Sequence, residues 1–332
     1  MRVKSVETLI PGDILAEAVY GHNKVLLLNA GNALTKQVIK SMKQLGIPSV
    51  LIADDASEGI VINETISTEL KQKVLNDLKS LNIDKALEDA KEIVTVLQDH
   101  PGYCEYFNVR NVGNYTYEHS MSVAVYATLV GIALKYKRKE LDNLAISGLF
   151  HDLGKQCIPK EILYKPGKLT SEEFYMIQQH PLMGYNMVKN NYDISSTVKA
   201  TILQHHENED GSGYPRKLKS KEIYKFAKIV HIADVYDAMV SKRPYKDPMS
   251  PQKVLKYIRE NAGTMFDPEY VEVFEKVVPA YPTGTAVKLS NGMEGIVCRN
   301  YVLDVLRPDV RLNDGTVISL KHDEKYKDVT VL

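Results

Sequence analysis

"LAISGLFHDLGKQ", residues 144–156, is the stretch on which the fold turns. Leu144, Ala145, Ile146, Leu149 and Phe150, with Leu141 just before them, make an apolar stripe that predicts a buried helix. His151 and Asp152 arrive at its last turn, and Gly154 is a natural C-cap. A carboxylate at a buried helix end is costly unless it is paired, and a metal ion is one good partner. The same argument applies in "AKIVHIADVYDAM", residues 227–239. There Asp234 sits among Ala227, Ile229, Val230, Ile232, Ala233 and Val235. Asp237 lies three positions on as a weaker candidate, and His231, three positions before Asp234, competes as a ligand.

Five of the nine histidines fall in polar, punctuated contexts of the helical region: His119, His151, His180, His205 and His206. His180 precedes Pro181, which predicts a helix kink. His205 and His206 open "HHENEDGSGYP", residues 205–215, where two glycines and Gly-Tyr-Pro predict a loop folding back on the helix end. Glu207 is expected either to orient an imidazole or to be solvated. A lone histidine on an apolar helix is more often a hydrogen-bonded core residue than a ligand, and His22, His100 and His322 are read as surface or structural residues. The set makes the case: five His and two Asp, all nitrogen and oxygen donors, suit Fe or Mn, with Zn, Co and Ni as alternatives. Seven ligands exceed the usual complement of one catalytic ion. They suit two divalent ions sharing a carboxylate, about 3.5–4 Å apart, an arrangement that clamps a phosphate ester for in-line attack.

At these residues the chain resembles the HD-GYP family of metal-dependent phosphohydrolases. The likeness runs in order through His119, "HDLGK" at 151–155, His180-Pro181, "HHENEDGSGYP", Asp234, "SKRPYK" at 241–246 and "FDPEYVEVF" at 266–274. It covers roughly residues 95 to 280. The resemblance implies an all-helical HD-GYP domain and hydrolysis of cyclic di-GMP to pGpG or GMP by water activated between two metal ions. It implies that His119, His151, Asp152 and Asp234 hold one ion. Asp152 would bridge to a second, held by His180, His205 and His206. Lys155 would act with Asp152 in catalysis and contact the scissile phosphate; Tyr214, Arg243 and Lys246 would bind substrate, although Arg243 and Lys246 also fit a solvated helix end. Some family members carry a Glu one turn before the first His that helps bind a third ion. Tyr115 stands there, so two ions are expected. Alternatives are another nucleotide (cyclic GMP-AMP, (p)ppGpp, a dNTP) or a non-catalytic cyclic dinucleotide sensor or protein-docking module.

The rest of the chain frames this domain. Among 332 residues, 42 Lys+Arg balance 42 Asp+Glu. Nothing at whole-chain level therefore points to a nucleic-acid polymer. The longest apolar runs are too short to span a membrane, and no signal peptide is evident. Cys104, Cys157 and Cys298 are dispersed and odd in number, which suggests reduced thiols and a cytoplasmic location. The expected class is mainly α, in four parts. Residues 1–62 read as a small β-rich module that could be regulatory, with one helix opening at Thr35. Residues 63–98 read as a helical connector that could carry a homodimer contact. Residues 99–280 read as the HD-GYP domain, and 281–332 as a small β appendage with turns at Asn291-Gly292 and Asp314-Gly315. Helices are expected near 115–136, 138–152, 171–190, 196–206, 221–241, 251–262 and 268–278.

Overall fold

Local signals explain where the helices start. The Thr35 hydroxyl accepts the amide of Val38 and opens α1 (Lys36–Gln44). In the computed structural model, which describes residues 1–20, 26–45, 47, 49–62, 65–100, 115–165, 167–241 and 249–332, this helix belongs to a unit with three small antiparallel sheets. One has the order β1 (Arg2–Ser5), β5 (Ser49–Ala53), β2 (Ile14–Leu15). A second pairs β3 (Val19–Tyr20) with β4 (Leu26–Leu28). The segment "DILAEAVY", residues 13–20, is thus two strands in different sheets. Val6, Leu9, Leu15, Leu34, Ile39, Met42, Val50 and Ile52 form the core beneath them. The third sheet runs β6 (Ala286–Lys288), β7 (Glu294–Arg299), β8 (Asp309–Leu312), β9 (Val317–Ser319). Gly292 and Gly315 take positive φ at the two expected hairpin turns.

The described residues of 1–67, 103–118 and 279–332 form one compact unit, and those of 68–102 and 119–278 the other. The two β regions at the ends of the chain therefore share a unit: Val3 bridges Thr285, and the Val3 amide donates to the Gly284 carbonyl. The described residues of 65–98 are mostly helical, and those from 68 onward belong to the second unit. They supply α2 (Thr68–Lys79) and α3 (Ile83–Asp99), separated at Leu81 with φ 54°. Leu70, Val74, Leu75 and Leu78 on α2 and Ile93, Val94 and Leu97 on α3 are buried within the chain.

The helical unit continues with α4 (Tyr115–Ala133), α5 (Arg138–Phe150), α6 (Lys160–Leu163), α7 (Ser171–Gln178), α8 (His180–Val188), α9 (Ser196–Gln204), α10 (Lys225–Val240), α11 (Pro251–Glu260) and α12 (Pro268–Val277). The molecule is mainly α. Thr170 and Glu173 form a reciprocal capping box at α7, and Pro251 and Pro268 occupy first turns. The single helix expected at 171–190 is divided at His180. Two close approaches gather the helix ends. A Cβ on Gly148 would collide with the backbone of Ala124, so α5 lies hard against α4. A Cβ on Gly154 would collide with the carbonyl of His180, so the turn after α5 meets the start of α8 backbone to backbone. No described helix is long and apolar enough to cross a membrane.

Candidate metal centre

Three histidines sit at helix ends and share one geometry. His151 caps α5, and its Nδ1 lies 2.7 Å from the carbonyl oxygen of Gly148. His180 opens α8 as α7 finishes, with Nδ1 2.7 Å from the carbonyl of Ile177. His205 caps α9, with Nδ1 2.8 Å from the carbonyl of Ile202. Each ring donates its Nδ1–H to the oxygen three residues back, one of the carbonyls a helix end leaves without an amide. With Nδ1 occupied in this way, Nε2 is the nitrogen each ring turns inward.

Those nitrogens converge on Asp152. Its Oδ1 is 3.3 Å from His180 Nε2 and 3.8 Å from His205 Nε2. Its Oδ2 is 3.3 Å from His151 Nε2, 3.8 Å from His119 Nε2 and 2.6 Å from Lys155 Nζ. The Nε2 atoms of His180 and His205 face each other at 3.2 Å. His151 Nε2 and Asp152 Oδ1 are buried without a hydrogen-bond partner. Nitrogen and oxygen donors packed together in a buried site, two of them unpartnered, call for a cation. Two donor groups, each with ligand atoms within 4.8 Å of one another, could hold one: Asp152, His180, His205 and His206, and His119, His151 and Asp152. Asp152 is common to both, on opposite oxygens.

The interior ligands are oriented differently. His119, on α4, places Nε2 2.9 Å from Asp234 Oδ1 and Nδ1 2.8 Å from Asp237 Oδ2. Asp234 is also 4.0 Å from His151 Nε2 and 3.9 Å from His206 Nδ1. It falls in a third group with His206 and His231. Asp237, the weaker candidate in the sequence, therefore anchors the ring of His119 from behind; its spacing from Asp234 was the one signal of this. His231 donates from Nε2 to Asn208 Oδ1, 3.2 Å away, and packs on Phe266.

Charge states suit a cation. Burial works against ionised Asp152, but His151 and Lys155 outweigh it and hold the carboxyl well below its usual range. Burial likewise opposes ionised Asp234, and its hydrogen bond to His119 overcomes that. Burial and neighbouring imidazoles hold His205 and His206 well below the usual value, hence neutral. Ionised carboxylates and neutral imidazoles are the forms that bind metal. His119 is the exception: burial disfavours its charged form, yet Asp234 and Asp237 push its pKa up to about 9.

The loop after His206 closes over the centre. Tyr214 donates its amide to the His206 carbonyl at 3.0 Å and stacks on the His206 ring, centroids 4.7 Å apart and planes at 27°. A Cβ on Gly213 would collide with the amide of Asn208 and the carbonyl of His206. Glu207 neither orients an imidazole nor faces solvent. It is buried, and its two oxygens accept the amides of Arg216 at 2.7 Å and Leu218 at 2.9 Å. Its pairing partners lie too far along the chain for the sequence to reveal them. Arg243, Lys246 and the side chain of Tyr115 lie outside the described residues.

Comparison with known proteins agrees with this arrangement. A family model described as HD domain matches residues 108–270. The chain is 32% identical over 256 residues to a cyclic di-GMP phosphodiesterase of Pseudomonas aeruginosa, covering 74% of this chain and 61% of that protein. It is 37% identical over 163 residues to a cyclic di-GMP phosphodiesterase of Thermotoga maritima, covering 49% of this chain and 44% of that one. It thus spans less than two thirds of the length of these relatives. A solved HDG"Y"P protein from Bdellovibrio bacteriovorus shares the fold, with a TM-score of 0.53 at 16% identity, over 82% of this chain and 97% of that one. The HD domain is a metal-dependent fold family, and the residues gathered around Asp152 form a His/Asp cluster suited to metal. With the ordered motifs from His119 to Asp234 brought to one centre, and with these relatives, the chain belongs to the HD-GYP family.

Proposed function

We propose that this chain is a metal-dependent phosphodiesterase that hydrolyses cyclic di-GMP to pGpG or GMP. The observation that carries the reading is the carboxylate of Asp152 lying between two donor groups, with His151 Nε2 and Asp152 Oδ1 buried and unpartnered. His119, His151, Asp152 and Asp234 would hold one divalent ion and Asp152, His180, His205 and His206 the other, Fe or Mn fitting the donor set best. Bound there, the ions supply water activation near neutral pH and charge stabilisation at phosphorus. The chain's own residues do the rest. Lys155 keeps Asp152 ionised and, being partly exposed, presents positive charge toward a phosphoryl oxygen. Tyr214 forms an aromatic wall against which a base or ribose can lie. Arg243 and Lys246 belong to the same reading as phosphate contacts. The free thiols of Cys157 and Cys298 fit a cytoplasmic setting.

The test is turnover of cyclic di-GMP by protein loaded with Mn(II) or Fe(II), with products identified and metal counted on the same sample. Two ions per chain and cleavage to pGpG or GMP are expected. Binding without cleavage overturns the enzyme reading in favour of a sensor. Faster cleavage of cyclic GMP-AMP overturns the substrate, and three tightly bound ions overturn the two-ion site.

A further inference from the structure

We infer that Glu207 is a positioning residue for the dinucleotide, acting through the loop that follows it; this rests on the phosphodiesterase reading. Glu207 follows His206 in the chain and is 2% exposed. Its Oε1 accepts the Arg216 amide and its Oε2 the Leu218 amide, nine and eleven residues along the chain. A buried carboxylate held by two backbone donors is a rigid clip, because each bond is charge-assisted. The clip holds the far limb of the loop, residues 216–218. The near limb is held by other means: Asp210 donates its amide to Thr264 at 2.9 Å, and His231 meets Asn208. Lys228 Nζ lies 2.9 Å from both Glu209 and Asp267, locking that limb to α10 and to the start of α12.

Between the two limbs, Gly213 packs on the backbone of residues 206–208 and Tyr214 stacks on His206. Tyr214 is held by its stack on His206, an edge contact with the His180 ring at 6.4 Å and its amide bond, all of which follow the loop's path. Glu207 thus sets where the aromatic wall stands, while the ligand atoms of His180, His205 and Asp152 are oriented by contacts that do not involve it. Substrate binding and metal loading are therefore separable at this residue.

The experiment uses Glu207→Gln in the full chain, which keeps side-chain size and one acceptor but turns an NH2 group toward one backbone amide. Expected are metal content equal to the unsubstituted protein, a KM for cyclic di-GMP raised about tenfold, and kcat within about threefold. Hydrogen exchange at the Arg216 and Leu218 amides should accelerate together. Unchanged KM, or loss of metal with KM unchanged, overturns the inference. Should the variant fold poorly, the unsubstituted protein still decides: Arg216 and Leu218 amides that exchange as fast as open loop amides would show that no clip exists. An unsubstituted protein that binds cyclic di-GMP without cleaving it sinks the phosphodiesterase reading alone. The Kd of the variant then replaces KM as the readout, with the same tenfold expectation.

Discussion

The helix-end histidines and the residues inside α4 and α10 meet the same demand by different routes. His151, His180 and His205 are aimed by carbonyls three residues back in their own chain. His119 is aimed by Asp237, 118 residues away, and Asp234 reaches the centre from the middle of α10. The first group is oriented as soon as its helix ends form. The second is oriented only when α4 and α10 are packed. Local anchoring leaves Nε2 of each ring turned toward the centre, whereas carboxylate anchoring leaves His119 charged until a metal displaces its proton.

The comparison breaks most severely at the residue that serves both groups. Asp152→Asn should remove metal and cut turnover by on the order of a thousandfold, read by metal analysis and kinetics together. Retained hydrolysis with full metal content would dissolve the shared-carboxylate picture.

Acidity sharpens the contrast. His119 has a folded pKa of about 9 against 6.5 for the ordinary group, so it is protonated at pH 7 in metal-free protein. Metal binding should release that proton, and affinity should rise by roughly a hundredfold from pH 7 to 9, seen by titration in buffers of different ionisation enthalpy. His205 and His206, neutral throughout, release none. The sign for stability is opposite. A raised histidine pKa stabilises the metal-free fold fully below pH 6.5, and that contribution is lost as pH rises through about 9, so the metal-free Tm should fall over this window.

Gly154→Ala attacks the local route. Its Cβ would strike the His180 carbonyl, parting the end of α5 from the start of α8. We expect about 1–3 kcal/mol lost in denaturant unfolding and a weaker second donor group. Asp237→Asn attacks the distant route and should be milder, about tenfold in metal affinity with little change in Tm. It should also flatten the pH dependence, because His119 loses one of the two carboxylates that hold its proton. An unchanged slope would mean Asp234 alone sets the charge of His119.

The sequence carried the donor inventory because burying His and Asp on apolar helices is expensive, and the expense is visible in each segment by itself. The capping box at Thr170 and Glu173, the kink at His180-Pro181 and the hairpin turns at Gly292 and Gly315 were legible for the same reason: each is decided within a few residues. Glu207 was misread because its charge could have been satisfied by an imidazole, by water or by backbone amides, and composition does not choose among them. The pairing of the two terminal β regions was equally hidden, since Val3 and Thr285 are strangers in sequence.

The chain by itself determined which groups would gather and the bend that follows the paired histidines. Tertiary structure alone decided that Asp152 stands between two donor groups, that Asp237 holds His119 and that Glu207 closes the loop on Tyr214. The reason is range: hydrophobic patterning and capping act over one or two helical turns, whereas the Glu207 bonds span nine and eleven residues and the His119–Asp237 bond spans 118.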